Sequence, residues 1–327
     1  MDVPEARGHL LSRSRLEATG MSPRRLAGAV EAGELRRIHR GWYVPDATWR
    51  AAYSEDRHLL RVVAAHERRR GTDAVFSFVS AAVLHGLPLL RLRPQRVHVS
   101  GARTNGLVAG GDRIVARHEI EVPIHDRTVV CGIPCTTLSR TVADVIRLAP
   151  EAAGLAIADA ALHQVAYTAR TRTYDDDADA AFRREVAEHL VRHPRARGVR
   201  LGRRVLTFAD GRAETAGETL CRLFLRDLGF TALVPQVPVR APRGGWFWID
   251  IGLEAVPAWF EFDGRGKYTD PALRGAVDLE AVLLAEKERE DWIRGTTGRP
   301  FVRAGQAHLE SADTLGERLA HFRVFPA

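Results

Sequence analysis

The stretch "GGWFWIDIGLEAVPAWFEFDG" occupies residues 244–264. Its apolar residues alternate twice with a break between, which is the period of two β-strands and a turn. In the first strand Trp246, Trp248, Asp250 and Gly252 point one way, and Phe247, Ile249, Ile251 and Leu253 the other. In the second, Trp259, Glu261 and Asp263 share a face opposite Phe260 and Phe262. A turn centred between Ala255 and Val256 sets Asp250 directly across from Glu261. Opposed residues of an antiparallel pair hold their Cβ atoms about 4.5–5.5 Å apart. Asp263 adds a third acid to that face. Carboxylates so placed repel unless a cation lies among them. A hard divalent metal bound through oxygen meets the need, and so does an arginine, with Arg265 nearby in sequence.

The flanks extend this unit. "AETAGETLCRLFLRDLGF" (213–230) reads as an amphipathic helix, with Leu220, Leu223, Phe224 and Leu228 on one face. Glu214 and Glu218 lie one turn apart on another face, and Gly229 ends the helix. "VDLEAVLLAEKEREDWIRG" (277–295) reads as a second helix, expected beside the hairpin. The chain has only two lysines, Lys267 just after the hairpin and Lys287 on that second helix, among 48 Lys and Arg residues.

The chain of 327 residues is long enough for two or three domains. A hydrophobic content of 45% and a charged content of 27% fit a water-soluble globular protein. No apolar run reaches the roughly 20 residues of a membrane span. The N-terminal residues lack the apolar core of a signal peptide, so the expected location is the cytoplasm. Cys131, Cys135 and Cys221 form no disulfide framework or zinc spacing. A net charge of +7 favours a polyanionic partner, above all nucleic acid.

Near the N-terminus, "SRSRLEATG" (12–20) reads as a short helix stopped at Gly20, and Ser22 and Pro23 open a second helix. Gly33 stops that helix, and "LRRIHRGWYVP" (35–45) reads as strand, turn, strand. Helix, turn, helix and wing is a DNA-binding arrangement, with the second helix for the major groove and the wing for the backbone. Its expected contacts are Arg24, Arg25, Arg36, Arg37, His39 and Arg40. The same shape also serves as a protein-interaction module.

"GELRRIHRGWYV" (33–44) resembles the N-terminal winged helix of AbiEi-type antitoxins, the DNA-binding halves of type IV toxin–antitoxin systems. "FSFVSAAVLHGLPLL" (76–90), "RVHVSG" (96–101) and "GIPCTTLSRTVADVIRLAP" (132–150) resemble successive blocks of the domain that follows it. Read from their residues, these are helix, strand and helix, with Thr136 or Thr137 capping the last. His85, at an apolar helix end, reads as a satisfied core group. The resemblance runs over roughly residues 6–165 and implies binding to DNA and a toxin partner.

Residues 166–212 read as a basic helical linker. Asp175, Asp176, Asp177 and Asp179 lack the spacing of a calcium loop and read as a solvated linker or helix start. "VRHPRARGVRLGRRVL" (191–206) is either a stripe for phosphate or the outer face of helices.

The segment 213–310 resembles the PD-(D/E)XK nuclease fold, in the branch related to very-short-patch repair endonucleases. The matching residues are Glu218, Asp250, Glu261 and Asp263. The resemblance implies metal-assisted hydrolysis of DNA phosphodiesters, with Asp250 and Glu261 holding Mg²⁺ or Mn²⁺ and Glu218 orienting its shell. In the family a lysine two residues after the glutamate orients the attacking water. Here that position is Asp263, and Lys267 and Lys287 are the two substitutes.

The expected architecture is a multidomain α/β (α+β) protein: a winged helix (1–50), an AbiEi-like α/β middle domain (51–165), the basic linker (166–212) and a restriction-endonuclease-like mixed sheet flanked by helices (213–327). Two functions follow. One is a Mg²⁺-dependent DNA endonuclease of defence or repair. The other is a non-catalytic regulator or antitoxin that uses a degenerate nuclease fold. An RNA-directed activity is a third reading.

Overall fold

The computed structural model describes residues 1–68, 75–101, 114–192, 197–264 and 279–327, with backbone alone at 279–283. It is a mixed α/β protein in two compact units. Unit one comprises Met1–Ala161 and Asp176–Ala209, and unit two Leu162–Asp175 and Asp210–Ala327.

Unit one begins with α1 (Val3–His9), β1 (Leu11–Ser12), α2 (Arg13–Ala18), α3 (Pro23–Glu31), β2 (Leu35–His39) and β3 (Trp42–Pro45). Ser12 and Ser22 cap α2 and α3 by accepting from Arg15 N and Arg25 N, each satisfying a first-turn N–H that the helix itself cannot. Leu16, Leu26 and Tyr43 form the core of this part, packed by Met21, Val30 and Leu35. The strands pair in the order β1-β3-β2. Arg40 and Gly41 make the tight turn between β2 and β3, and Gly41 has φ +79, a conformation costly for any residue with a Cβ. This is the expected helix, turn, helix and wing, preceded by a helix that the sequence reading did not anticipate.

The remainder of unit one adds α4 (Asp46–Ala51), α5 (Ser54–Arg68), β4 (Val75–Phe76), α6 (Phe78–Leu84), β5 (Val97–Ser100), β6 (Val115–His118), β7 (Arg127–Val130), β8 (Ile133–Thr136) and α7 (Leu138–Leu148). The sheet order is β6-β5-β4-β8-β7. Thr137, not Thr136, caps α7 by accepting from Arg140 N. His85 Nε2 donates to Thr136 O at 2.8 Å, so its ring is satisfied inside the fold. Helix α8 (Glu151–Ala166) runs from unit one into unit two. The chain returns to unit one with α9 (Asp176–Val191) and α10 (Val199–Phe208), both against α7. Most of the segment expected as a linker is thus packed structure: Phe182, Val186, Leu190, Val205 and Leu206 are buried. Its acidic cluster is a helix start, and Asp179 pairs with Arg183 one turn on.

Unit two contains the short hairpin β9 (Tyr167–Thr168) and β10 (Thr173–Tyr174), then α11 (Ala216–Asp227), β11 (Leu233–Arg240), β12 (Trp246–Leu253) and β13 (Ala258–Asp263). Helix α12 (Leu279–Thr297), β14 (Phe301–Gly305) and α13 (Ala312–His321) complete it. The sheet order is β11-β12-β13-β14, antiparallel except for the parallel pair β13–β14. A parallel pair needs a crossover connection, and the segment containing α12 supplies it. Ile249, Trp259, Ile293 and Phe301 form one cluster of the core of unit two, with Val237, Val239 and Phe247 packed against it. Gly217 brings the start of α11 against β13, where a Cβ would stand 2.0 Å from the Phe262 ring.

Ile251 faces Phe260, Gly252 faces Trp259 and Leu253 faces Ala258, the register expected from a turn between Ala255 and Val256. The β12–β13 pairing ends there, one step before Asp250 and Glu261 would meet. Beyond it β12 continues paired to β11, and β13 to β14.

Burial of histidine gives unit one a pH dependence. His58 is fully buried on α5, with Nε2 2.9 Å from Ser80 Oγ. Burial, then the nearby Arg61 and His98, push its pKa down to about 3. The unfolded chain takes up this proton near pH 6.5 and the fold resists it, so stability is complete above about 6.5 and falls as pH drops towards the folded value. The expected loss from His58 alone is about 2 kcal/mol between pH 7 and pH 5. Urea titrations at the two pH values check this, and His58→Gln should shrink the difference by about that amount.

Candidate nucleic-acid interface and the carboxylate cluster

The winged helix sorts its expected contacts into two groups. Arg24 and Arg25 are exposed in the first turn of α3, and Arg37 and Arg40 are exposed on the wing. Arg36 is committed elsewhere. Its Nε donates to Asp46 Oδ1 at 2.7 Å, and its guanidinium lies over the Trp49 ring. Asp46 also pairs with Arg50, and the Arg36 bond, largest of its influences, holds the carboxyl below the usual range. His39 is completely buried. A register shift between Arg37 and His39 breaks the alternation, so Ile38 and His39 both turn inward. Its ring therefore does not face a ligand at this surface, contrary to the expectation from strict alternation.

Arg37 and Arg40 join two arginines that the sequence reading passed over. Arg13, Arg37, Arg40 and Arg68 line a cleft of about 460 Å³ with Gly41 and Tyr43. Arg13 opens α2, and its backbone N–H donates to Gly41 O at 2.8 Å, which ties the helix start to the wing tip. Arg68 comes from the last turn of α5. Four guanidinium-bearing side chains around one concavity suit a phosphate backbone, since each offers planar donors matched to phosphate oxygens. Arg13 also pairs with Glu17 at 2.7 Å. No local signal links Arg13 to Arg68, because their meeting depends on the tertiary fold.

The carboxylates of unit two have different partners. Glu261 is buried, and two arginines reach it. Arg289 from α12 donates through Nη2 to Glu261 Oε1 at 2.5 Å and through Nη1 to Oε2 at 3.2 Å. Arg303 from β14 donates to Oε2 at 3.3 Å. Arg289 Nη2 also donates to Trp248 O at 2.6 Å. It therefore spans the gap where β12 and β13 separate. Glu286 pairs with both arginines. Burial alone would lower the pKa of Arg289, but Glu261 and then Glu286 more than offset it and raise it.

Asp250 closes the same gap from the other strand. The Phe262 N–H donates to Asp250 Oδ2 at 2.8 Å, so a side chain supplies an acceptor that a continuing ladder would have supplied. Glu218 serves the start of α11. Its Oε2 accepts from Glu214 N at 2.9 Å and from Gln236 Nε2 at 3.2 Å, and its Oε1 from the Thr215 hydroxyl at 2.9 Å. Thr215 in turn caps the helix by accepting from Glu218 N, so "TAGE" (215–218) acts much as a capping box. Burial, the largest influence, raises the Glu218 pKa. Asp263 and Lys287 are exposed. Lys267 and Arg265 lie outside the described residues.

A divalent ion needs carboxylate oxygens for its own shell. The Glu261 oxygens instead take guanidinium N–H groups, those of Glu218 take amide and hydroxyl donors, and one of Asp250 takes a backbone N–H. Among the described residues no three His, Cys, Asp or Glu side chains are grouped to hold a metal ion. So partnered, these oxygens do not fit Mg²⁺ or Mn²⁺. The buried thiols add no site. Burial pushes Cys135 up to about 12, and burial likewise raises Cys221 well above the usual thiol value. Among the described residues no helix is long and apolar enough to cross a membrane.

Comparison with known proteins places part of this chain. Residues 74–202 match the family described as the AbiEi antitoxin C-terminal domain. This stretch takes in β4 to β8, the helices α6 to α9, the β9–β10 hairpin of unit two and the start of α10. An uncharacterized protein of Mycobacterium tuberculosis, found in two strains, is 27% identical over 264 residues, which is 77% of this chain and 82% of the relative. The crystal structure of the Rv2827c protein from the same organism matches 73% of this chain and 87% of its own. The identity there is 15% and the TM-score 0.36, too low to establish a shared fold.

Arg289 and Glu261 should behave as a unit. Arg289→Ala leaves a buried carboxylate with one long contact to Arg303, and the expected cost is about 3 kcal/mol. Replacing both residues by Met should cost clearly less than either single change, since a buried ion pair and a packed apolar pair are close in free energy. Chemical denaturation of the three variants checks this. Additive losses would mean that the two residues act separately.

Proposed function

We propose that this protein is a DNA-binding regulator of the AbiEi antitoxin kind. In this reading the winged helix holds duplex DNA and the domain that follows supports a protein partner, of the toxin class that such antitoxins oppose. The observation that carries the reading is the coincidence of the family match at residues 74–202 with an arginine-lined cleft at the wing that precedes it. Arg24 and Arg25 on α3 face the groove, while Arg13, Arg37, Arg40 and Arg68 take the phosphates beside it.

The second reading, Mg²⁺- or Mn²⁺-dependent hydrolysis of DNA in unit two, has less support. The strand and helix order agrees with a PD-(D/E)XK domain, but Arg289 and Arg303 hold the glutamate that would bind the ion. We therefore read unit two as a non-catalytic member of that fold.

Fluorescence anisotropy with duplex DNA from upstream of the protein's own reading frame tests the proposal over a range of salt. Arg37→Ala with Arg40→Ala should weaken binding at least tenfold at 0.1 M salt. It should also reduce the slope of log affinity against log salt by about 2, near 0.9 for each lost phosphate contact. Unchanged affinity and slope would remove the wing from the account. A plasmid-nicking assay with Mg²⁺ and Mn²⁺ is the companion experiment. Nicking by the wild-type chain that Asp250→Ala abolishes would restore the hydrolase reading.

A further inference from the structure

Unit two has a second cleft, of about 450 Å³, that neither the winged helix nor the carboxylates account for. One wall comes from the β9–β10 hairpin, with Tyr167, Arg172 and Tyr174; another comes from β11 and β12, with Gln236 and Trp248. Arg212, just before α11, completes the lining side chains of interest. The volume is within the range of sites for small organic ligands, roughly 300–1,000 Å³.

The chemistry of the lining is uneven in an informative way. Three aromatic rings and two guanidinium groups meet in one cavity. Arg172 lies over the Trp248 ring at 5.1 Å, and Arg212 over the Tyr174 ring at 4.1 Å. Tyr167 is braced by stacking on His163 at 4.4 Å. The arginine side chains remain 43% and 37% exposed, so the stacks are open to solvent on their outer side. Arg172 pairs with Glu214 at 2.7 Å and Arg212 with Asp210 at 3.5 Å. The floor adds apolar surface from Leu233 and Pro235, which a bare anion would not use.

The backbone supplies an independent sign. Arg172 has φ 51 and Gln236 has φ 52, both in the left-handed region that non-glycine residues rarely adopt. Such strained residues recur at ligand clamps and switch regions. Here they stand on opposite walls of a single cavity. At Gln236 the conformation occurs where β11 skips a pairing, between Pro235 opposite Ile251 and Val237 opposite Ile249. The Gln236 amide is oriented by its bond to Glu218 at 3.2 Å.

We propose that this cleft binds a nucleoside phosphate, with the base stacked on the aromatic and guanidinium surfaces and the phosphate held by Arg172 and Arg212. Gln236 and Asp210 supply the amide and carboxylate groups that base edges recognise. The group comes either from an unpaired nucleotide of a single strand or from a free nucleotide. Stacking of bases on aromatic and arginine planes is the usual basis of single-strand binding. This site goes beyond duplex recognition by the winged helix and stands without it.

The test uses the full chain carrying Arg37→Ala and Arg40→Ala, so that the wing does not mask the cleft. Fluorescein-labelled oligothymidylate is the probe, and thymidine 5′-monophosphate and inorganic phosphate are the competitors. Single-strand binding should persist in this background. Adding Arg172→Ala and Arg212→Ala should weaken it at least tenfold while the melting temperature stays unchanged. If that combination lowers the melting temperature, Arg172→Gln alone is read instead, with an expected loss of at least threefold. Competition by thymidine monophosphate at matching nucleotide concentration supports a free nucleotide as the ligand, and competition by the unlabelled strand alone supports a single strand. Unchanged affinity in the arginine variants, or inorganic phosphate competing as well as the nucleotide, overturns the proposal. Loss of all single-strand binding in the wing background also overturns it, while leaving the winged-helix reading intact.

Discussion

Beyond Ile251 and Phe260, β12 and β13 part company, and the backbone groups that each strand would have offered the other need new partners. Two side chains meet that need. Asp250 accepts the Phe262 N–H, and Arg289 reaches from α12 to the Trp248 carbonyl. Arg289 also binds Glu261 on the second strand, so one guanidinium satisfies a backbone carbonyl and a buried carboxylate together. An unpaired buried group of either kind costs free energy comparable to a lost hydrogen bond or more. The position of α12 against the sheet and the neutrality of the acidic face thus depend on the same residue. That dependence favours a structural role for Glu261 over a role in holding an ion.

The same contest between local and distant partners explains how much could be read in advance. The turn register of the β12–β13 hairpin was legible because alternation and turn position are local. The separation of the strands was not, because Arg289 stands 28 residues beyond Glu261 and its helix gives no sign of where it docks. The winged helix was legible from Ser22, Pro23, Gly33 and the alternation of 35–45. His39 was misplaced because a single bulge reverses which residues face inward. Arg13 and Arg68 escaped notice for the reason that Arg289 did. The dense arginines of 191–206 left a phosphate stripe and the outer face of helices both open, whereas the apolar spacing of Val199, Val205 and Leu206 is what packs α10 in unit one.

Both units use arginine for interior pairing and for stacking on rings, as Arg289 with Glu261 and Arg36 over Trp49 show. In unit one, Arg140 lies between Asp126 and Asp144, and Arg192 also reaches Asp126, so basic and acidic groups are paired in the interior. At the wing, Arg37 and Arg40 remain exposed. In unit two, Arg289 pairs with buried Glu261, while Arg172 and Arg212 lie on rings. A chain with only two lysines among its 48 Lys and Arg residues thus assigns interior pairing and stacking to arginine, and leaves arginines exposed at the wing as well. A planar guanidinium performs both tasks, where an ammonium would serve chiefly as a point charge.

The order in which the chain visits its two units bears on how it is made. Residues 162–175, with β9 and β10, belong to unit two but are followed by a return to unit one. During synthesis this segment leaves the ribosome well before the rest of its own unit. At roughly 5–20 residues per second, the wait for the last strand is on the order of ten seconds. Over that interval Tyr167 and Tyr174 lack their native neighbours from Asp210 onwards, while unit one can already close around α9 and α10. A cut at residue 209 or 210 likewise separates this hairpin from its unit, so neither half of the chain divided there is a whole domain.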